Sequence, residues 1–146
     1  MLATEPDSKV REHERSTVVN GETYRCFTRP GDTAVYVQDP AGRNHRMIFN
    51  ADEWTRETAR VGADEYVKHG MEWRVLHRYG DGRWTWRHPD EYPDAEMGRH
   101  FANLALVRAA DNWRDLRIRE LRAASEKHEV PPWWRSYGMR RHGAYR

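Results

Sequence analysis

Apolar residues recur at steps of three and four between Asp94 and Glu129, which is the spacing of one helix face. The stripe begins with Met97, Phe101, Leu104 and Val107 and continues less regularly through Ala110, Trp113, Leu116, Leu121 and Ala124. Pro131 and Pro132 end the pattern, because proline has no N–H to donate within a helix. The pattern predicts one long helix over residues 95–128.

The length of this helix leaves two arrangements open. About 35 residues would span roughly 50 Å, which exceeds the width of a small domain. In the first arrangement the helix bends or breaks near Asp111 and Asn112 and packs on a sheet. In the second it protrudes and pairs with a partner. The stripe is not a strict heptad, which favours the first.

Residues 17–49 show the alternation of apolar and polar positions that is typical of strands. The segment Arg29-Pro30-Gly31-Asp32 has proline and glycine at the central positions of a type II turn. If strands pair from this turn, four residues share one face: Cys26 opposite Val35, and Tyr24 opposite Val37. A second turn at residues 39–42 leads into a third strand at residues 45–49.

A helix start is indicated after this third strand, because Asn50 can cap a helix that carries Glu53 at its third position. This signal predicts a short helix over residues 51–61. The segment Asp64–His69 is interpreted as a second short helix or as a continuation of the first.

The clearest local pattern lies in residues 72–88, where Asp81 and Gly82 occupy the position of a two-residue type I′ turn. With that turn one side of the hairpin forms an aromatic ladder: Tyr79 opposite Trp84, His77 opposite Trp86, and Val75 opposite His88. The other side would carry Arg74, Leu76, Arg78 and Arg87. We expect the aromatic side to pack on a helix.

Together these patterns predict an α+β fold: an antiparallel β-sheet packed against a short helix and one long C-terminal helix. The single domain is expected to span residues 17–129. Residues 1–16 are charged and lack an apolar period, which predicts a mobile N-terminal arm. Residues 130–146 contain no acidic residue and form a basic aromatic C-terminal tail.

Composition narrows the class of protein. The 146 residues carry a net charge of +2, which is low for strong non-specific DNA binding. The single cysteine, Cys26, cannot form an internal disulfide and suits a reducing compartment. The polar start and the lack of a long apolar run predict a cytoplasmic protein without a membrane partner. Lysine supplies only three of the 25 basic residues, an arginine bias that points to a high-GC genome such as an actinobacterium or its phage.

Residues 33–61 resemble a small actinobacterial regulatory domain, the BldB-like family. The resemblance rests on a strand, an Asp-Pro-x-Gly turn, a strand that ends in Phe, and a polar cap followed by Glu-Trp. In this chain these are Val35 to Gln38, Asp39 to Gly42, Met47 to Phe49 and Asn50 to Trp54. It covers about a fifth of the chain and implies a non-catalytic regulator that acts beside helix-turn-helix proteins.

Two surfaces are candidates for binding a macromolecule. The tail combines guanidinium groups, which neutralise phosphate, with rings that can stack on bases: Trp133, Trp134, Arg135, Tyr137, Arg140, Arg141 and Arg146. It could instead dock on another protein or fold back on the domain. The second surface is the arginine side of the hairpin, Arg74, Arg78 and Arg87, which could equally be the solvated face of an antiparallel sheet.

Residues that could support catalysis are few. A metal site could only come from residues near the start of the long helix: His88, Asp90, Asp94, Glu96 and His100. Asp90 to Glu96 is more simply a solvated loop, and Cys26 falls on an apolar strand face where cysteine is usually inert. No nucleophile, phosphate-loop or dinucleotide motif is present in the sequence, so no cofactor is expected.

The sequence therefore favours a small non-enzymatic accessory or regulatory protein. Its partner would be a host or regulatory protein, or a nucleic acid, bound through the Arg/Trp/Tyr-rich surfaces. The first alternative is a structural, virion-type protein that self-assembles into a homo-oligomer through the long helix. The second is a metal-dependent hydrolase or nuclease.

Overall fold

The computed structural model describes residues 10–51 and 57–128. Within these ranges the chain forms an eight-stranded sheet in which each strand pairs with the next along the sequence, followed by one helix. The strands are β1 (Glu12–Val19), β2 (Glu22–Thr28), β3 (Val35–Gln38), β4 (Asn44–Ala51), β5 (Glu57–Val61), β6 (Asp64–His69), β7 (Glu72–Arg78) and β8 (Trp84–Arg87). A 3₁₀ turn at Pro89–Glu91 precedes helix α1 (Asp94–His128). The predicted mixed α+β architecture, with an antiparallel sheet and one long helix, is confirmed.

Helix α1 runs without interruption from Asp94 to His128. No break interrupts it at Asp111 and Asn112, and both of these residues form hydrogen bonds with the sheet. No helix in the two described ranges combines the length and the apolar character needed to cross a membrane.

The sheet curls around α1, because adjacent helix residues contact distant strands. Asp111 accepts hydrogen bonds from Lys68 of β6 at 3.0 Å and from Trp73 of β7 at 3.2 Å. The next residue, Asn112, donates to Thr17 of β1 at 3.3 Å. Strands from the two ends of the sheet thus lie on either side of one helical turn.

This wrapping buries the middle of α1 on most of its circumference. Residues 104–107 and 109–111 are buried, whereas Arg108 between them is exposed. Phe101 was expected on the apolar stripe but is 46% exposed, and its neighbour His100 is buried. An enclosed helix needs a wider apolar surface than the single stripe of an amphipathic helix.

The short helix predicted for residues 51–61 is wrong over the described part of that range, because residues 57–61 form β5 and residues 64–69 form β6. Burial alternates along β5, where Glu57, Ala59 and Val61 are buried and Arg60 is exposed. This period of two is a property of the packed sheet and overrides the local capping signal at Asn50. Residues 52–56 lie outside the described part of the chain.

The prediction of a mobile arm over residues 1–16 is also wrong for residues 12–16, which the structure describes. Residues 12–16 belong to β1, and Arg15 pairs with Cys26 of β2. A register irregularity lies between Glu12 and Arg15, with His13 at a positive φ of 56°. Such a bulge interrupts the alternation that strand prediction relies on. Residues 1–9 lie outside the described ranges.

The predicted type II turn is present. The Asp32 N–H donates to the Arg29 carbonyl O at 3.1 Å, and Gly31 has a φ of 76°. Pairing beyond the turn is shifted by two residues from the prediction, with Cys26 opposite Val37. A shift of two preserves the face of every side chain. The predicted apolar face is confirmed by its four buried members, Tyr24, Cys26, Val35 and Val37.

The loop between β7 and β8 is longer than the predicted two-residue turn. Tyr79 and Arg83 close it through an N–H to carbonyl bond of 2.8 Å, and the Gly82 N–H donates to the Tyr79 carbonyl O at 3.0 Å. Gly82 has a φ of 91°, the left-handed geometry of a turn followed by a glycine bulge. Gly42 has the same φ of 91° in the turn at residues 39–42, which is confirmed.

The longer loop shifts the β7–β8 register by one residue from the prediction. Trp84 pairs with Arg78, and Trp86 pairs with Leu76. A shift of one residue moves side chains to the opposite face, so the predicted aromatic ladder is wrong and both tryptophans point away from α1. The expected packing of the aromatic side on a helix holds for Trp73 and Val75 of β7, which are 4% and 3% exposed in the core that includes α1. It is wrong for Trp84 and Trp86.

Candidate functional site

The outward side of β7 and β8 carries five neighbouring side chains that we term the basic–aromatic face: Arg74, Leu76, Arg78, Trp84 and Trp86. The register sets the tryptophans directly opposite Leu76 and Arg78, and Arg74 shares their side because strand residues alternate. Since α1 packs on the other side of these strands, the residues that form this face in the described part of the chain all belong to the sheet.

Arg87 does not belong to this face, contrary to the sequence-based prediction. It pairs with Val75 and therefore lies on the α1 side of the sheet. Its guanidinium group lies 5.6 Å from the centre of the Tyr92 ring, a cation–π distance. The one-residue register shift explains the exchange, since it replaces Arg87 with Trp86 and Trp84 on the outer side.

Each arginine of the basic–aromatic face is paired with a nearby acid. Arg74 donates to Glu72 at 3.0 Å and Arg78 donates to Glu65 at 3.1 Å. The side chains of Arg74 and Arg78 are 33% and 58% exposed, so these pairs contribute little to stability. Their effect is to balance the charge of the surface.

The rings of this face are grouped closely. The centroids of Trp84 and Trp86 are 6.2 Å apart, and His69 of β6 stacks on Trp86 at 4.1 Å. Trp84 is 37% exposed. Large rings with few rotatable bonds supply contact area at low entropic cost, which is why tryptophan and arginine are enriched among interface anchors.

The residues predicted in the tail lie outside the described ranges: Trp133, Trp134, Arg135, Tyr137, Arg140, Arg141 and Arg146. Their role in binding stays a prediction.

Within the described ranges, the residues considered for a metal site do not form a group of three or more His, Cys, Asp or Glu residues placed to hold a metal ion. His88 instead caps the 3₁₀ turn by accepting from the Asp90 N–H at 3.4 Å, and His100 is buried against Tyr66. Glu96 lies 3.6 Å from the guanidinium group of Arg99.

Cys26 is fully buried, and burial raises the pKa of its thiol to about 12. The nucleophilic thiolate is therefore scarce at neutral pH. This agrees with the interpretation of Cys26 as a core residue.

A second candidate site is an open cleft of about 370 Å³ between the first turns of α1 and strands β6 and β7. Its polar lining includes His77, Tyr92, Glu96, Arg99 and His100. The Tyr92 and His100 ring centroids are 4.6 Å apart. The cleft brings Glu96 and His100 to one surface, as their spacing of one helical turn indicates.

Behind the cleft, a chain of hydrogen bonds fixes His100. The Asn103 side-chain N–H donates to the Tyr66 hydroxyl at 2.7 Å, and that hydroxyl lies 2.9 Å from His100 Nδ1. Burial lowers the pKa of His100, with opposing effects of Asp64, which raises it, and Arg99, which lowers it. Burial also raises the pKa of Tyr66. Both groups are thus neutral at pH 7.

Arg99 is held beside His100 by a carboxylate. Its guanidinium group donates to both oxygens of Asp64, at 2.9 Å and 3.1 Å. This fork-like contact fixes the planar group at the cleft wall. Sequence reasoning missed Asp64, Tyr66 and Asn103, because the contacts that join Asp64 and Tyr66 to α1 cross more than 30 residues. No local spacing in the sequence indicates such contacts.

Comparison with known proteins adds no relationship. No protein-family model matches the chain, and neither a curated protein nor a solved structure shows significant similarity to it.

Proposed function

We propose that this protein is a small accessory or regulatory protein that binds another protein through the basic–aromatic face. The observation that carries the proposal is the β7–β8 register, which sets Trp84 and Trp86 beside Arg74 and Arg78 on one side of the sheet. The sequence pattern predicted arginines and aromatic rings on opposite sides. Their combination on one surface is the composition of a protein-binding patch.

The charge of this face favours a protein partner over a nucleic acid. Glu72 and Glu65 lie within 3.1 Å of Arg74 and Arg78, so the face offers little net positive charge to a phosphate backbone. Nucleic-acid affinity depends mainly on that charge. A protein partner that carries both acidic and basic side chains can form new ion pairs with these arginines and glutamates at the rim of an interface.

Self-assembly through α1 remains the alternative function. The apolar residues in the middle of α1, such as Leu104, Val107 and Trp113, are already buried in the domain core. A self-contact would therefore depend on the ends of the helix, where Phe101 is 46% exposed.

We also propose a cytoplasmic location, because the chain has a single cysteine and cannot form an internal disulfide.

The proposal is tested by capture with the full-length protein and two surface variants. Tagged wild-type protein and the Trp84→Ser variant are used to capture partners from host lysate, with and without nuclease. A captured protein is then purified and its affinity measured by calorimetry. Because the partner would bury Trp84 as an anchor of the interface, its replacement should weaken binding by at least 2 kcal/mol, or roughly 30-fold.

Val18→Ser provides the matched control, because Val18 is also an exposed apolar residue, at 63%, and lies on strand β1 outside the five residues of the basic–aromatic face. We expect this variant to bind as the wild type does. Equal binding by the wild type and Trp84→Ser would contradict the proposed surface. Loss of all captured partners on nuclease treatment would favour a nucleic acid instead.

A further inference from the structure

A cleft of about 400 Å³, which we term the β2 cleft, lies between strand β2, the turn at residues 39–42 and the first half of α1. Pro40 and Ala41 of the turn and Ala102 and Leu106 of the helix give it apolar walls. Its volume falls within the range of small-molecule sites, about 300–1,000 Å³. The described residues that line it are separate from the basic–aromatic face, so a molecule bound here would be a second ligand of the protein.

Tyr24 of β2 lines this cleft and offers it a hydroxyl group. The residue is 6% exposed, and its hydroxyl forms no hydrogen bond with any described residue. The hydroxyl oxygen is not sealed from water, so water or a ligand in the cleft can reach it. Burial raises the pKa of Tyr24, and the negative charges of Glu22 and Asp39 raise it further. The hydroxyl is therefore protonated at neutral pH, and its oxygen can still accept a hydrogen bond.

Glu22 supplies a carboxylate next to this hydroxyl. It lies two residues before Tyr24 on β2, and residues two apart on a strand lie on the same face of the sheet. The effect of its charge on the pKa of Tyr24 agrees with this closeness. Glu22 is exposed, and among the residues that the structure describes its carboxylate has no hydrogen bond or ion pair. Strand β2 thus presents two oxygen groups that are open to a ligand.

The second carboxylate of the cleft, that of Asp39, is already occupied. Its oxygens accept from the Arg43 backbone N–H at 2.9 Å and lie 2.8 Å from His45 Nε2. The Arg43 guanidinium group lies 3.8 Å from the same carboxylate, and its side chain is 79% exposed. Among the described lining residues, Glu22 therefore carries the carboxylate that is available to a ligand. It attracts a cationic ligand and repels an anionic one.

We propose that the β2 cleft binds a small ammonium compound with an apolar body of one or two rings. Its ammonium group donates to the Glu22 carboxylate and to the Tyr24 hydroxyl oxygen, while its apolar body lies against Pro40 and Leu106. An ammonium group has three N–H donors and no acceptor, which suits two neighbouring oxygens that receive no hydrogen bond from the described residues. Because a hydrogen bond between charged groups is roughly twice as strong as a neutral one, the contact with Glu22 dominates the affinity.

Four probes test this proposal on the full-length protein at pH 7. The probe 2-phenylethylamine, which is an ammonium ion at this pH, has both the charge and the ring. The alcohol 2-phenylethanol lacks the charge, ethylamine lacks the ring, and 3-phenylpropionate has the opposite charge. Each is titrated into isotope-labelled protein while the backbone amides of residues 22–24 and 39–43 are followed by NMR. We expect saturable shifts with 2-phenylethylamine at a Kd on the order of 1 mM, about tenfold weaker binding of 2-phenylethanol and ethylamine, and none of 3-phenylpropionate.

Three variants locate the site. Glu22→Gln removes the charge and keeps the shape, and it should weaken binding of 2-phenylethylamine about tenfold while leaving that of 2-phenylethanol unaffected. Tyr24→Phe removes the hydroxyl alone and should weaken binding of the amine about threefold. Glu12→Gln is the matched control, because Glu12 is also an exposed glutamate of the β1–β2 pair but lies at its other end, opposite Thr28. It should bind all probes as the wild type does.

Urea unfolding of each variant checks that the fold is retained, since neither the Glu22 carboxylate nor the Tyr24 hydroxyl bonds to a described residue. Equal binding of 2-phenylethylamine and 2-phenylethanol would overturn the proposal. So would equal effects of Glu22→Gln and Glu12→Gln, which would show that the amine follows general surface charge. An absence of shifts in the β2 cleft with 2-phenylethylamine would also end it.

Discussion

Asp32 shows how several donors can act on one carboxylate. It accepts from the Tyr36 hydroxyl at 2.6 Å, from the Ala34 N–H at 2.9 Å, and from the guanidinium group of Arg46 at 3.1 and 3.2 Å. The hydrogen bonds from Arg46, and then those from Tyr36 and Ala34, hold the pKa of Asp32 well below its usual range. The charged carboxylate thus ties the turn before β3 to strand β4.

This depressed pKa predicts a pH-dependent contribution to stability. In the unfolded chain Asp32 titrates near pH 3.9, so the unfolded state binds a proton that the folded state does not. The stabilisation is complete above about pH 5 and is lost as pH falls toward the lower folded pKa. Asp32→Asn should cost about 1–2 kcal/mol at pH 7, and this difference from wild type should shrink steadily between about pH 5 and pH 3.

Urea unfolding at a series of pH values measures this difference. The exposed Glu22 gives the control, since Glu22→Gln should change stability little at any pH. A gap between wild type and Asp32→Asn that stays constant down to pH 3 would show that the carboxylate charge is not responsible.

The sequence predicted the environment of some residues better than that of others. The alternation around Cys26 correctly predicted a buried, inert thiol, because a strand's own pattern reports which side faces the core. His100 could only be identified as one turn from Glu96. Its role depends on Tyr66 of β6, and a contact across 34 residues leaves no local pattern in the sequence.

At the scale of elements, replacing glycine with alanine is expected to have opposite effects on stability at two positions. Gly82 closes the β7–β8 loop at a φ of 91°, and Gly98 lies within α1 without a positive φ. An added Cβ meets no atom within 4 Å at either position, so packing does not distinguish them. Gly82→Ala should destabilise the protein by about 1–2 kcal/mol through left-handed strain, while Gly98→Ala should stabilise it by about 0.5–1 kcal/mol.

Both variants are compared by urea unfolding, with the midpoint and the slope fitted separately. The two midpoints should move in opposite directions while the slope stays constant. A Gly82→Ala variant as stable as wild type would mean that this loop can adopt another turn, and that the β7–β8 register is not fixed by it.

For the hairpin closed by this loop, the sequence predicted the correct type of element but the wrong strand register. The sequence indicated the hairpin, its strands and a turn at Asp81 and Gly82, but a two-residue turn and a three-residue loop with a glycine bulge share that signal. Choosing the wrong one placed Trp84 and Trp86 on the helix side. For residues 57–61 the local capping signal predicted a helix, whereas pairing with β4 and β6 made them a strand.

At the scale of the whole molecule, α1 connects parts of the sheet that do not pair with each other. Asp111 bonds to β6 and β7, Arg114 donates to Glu57 of β5 at 2.7 Å, and Trp113 Nε1–H donates to the His13 carbonyl O of β1 at 2.7 Å. Strand β1 is at the edge of the sheet and pairs only with β2 among the described strands. Its second attachment is therefore to the helix.

This arrangement predicts that the two ends of the sheet can be loosened separately. Trp113→Phe removes the donor to His13 and leaves a carbonyl without its partner, at a cost of about 1 kcal/mol. Amide hydrogen exchange of β1 should then accelerate roughly fivefold, whereas that of β6 and β7 should change little. Trp73→Phe is the matched variant, because Trp73 Nε1–H donates to Asp111 at the other side of the helix.

Trp73→Phe should accelerate exchange in β6 and β7 and spare β1, since native proteins open in local units whose stability follows their own contacts. The pair of variants separates two views of the fold. If each accelerates exchange only in the strands it contacts, α1 holds the ends of the sheet through independent bonds. If both variants accelerate exchange equally in all strands, the sheet and the helix open as one cooperative unit, and the view of separate attachments is wrong.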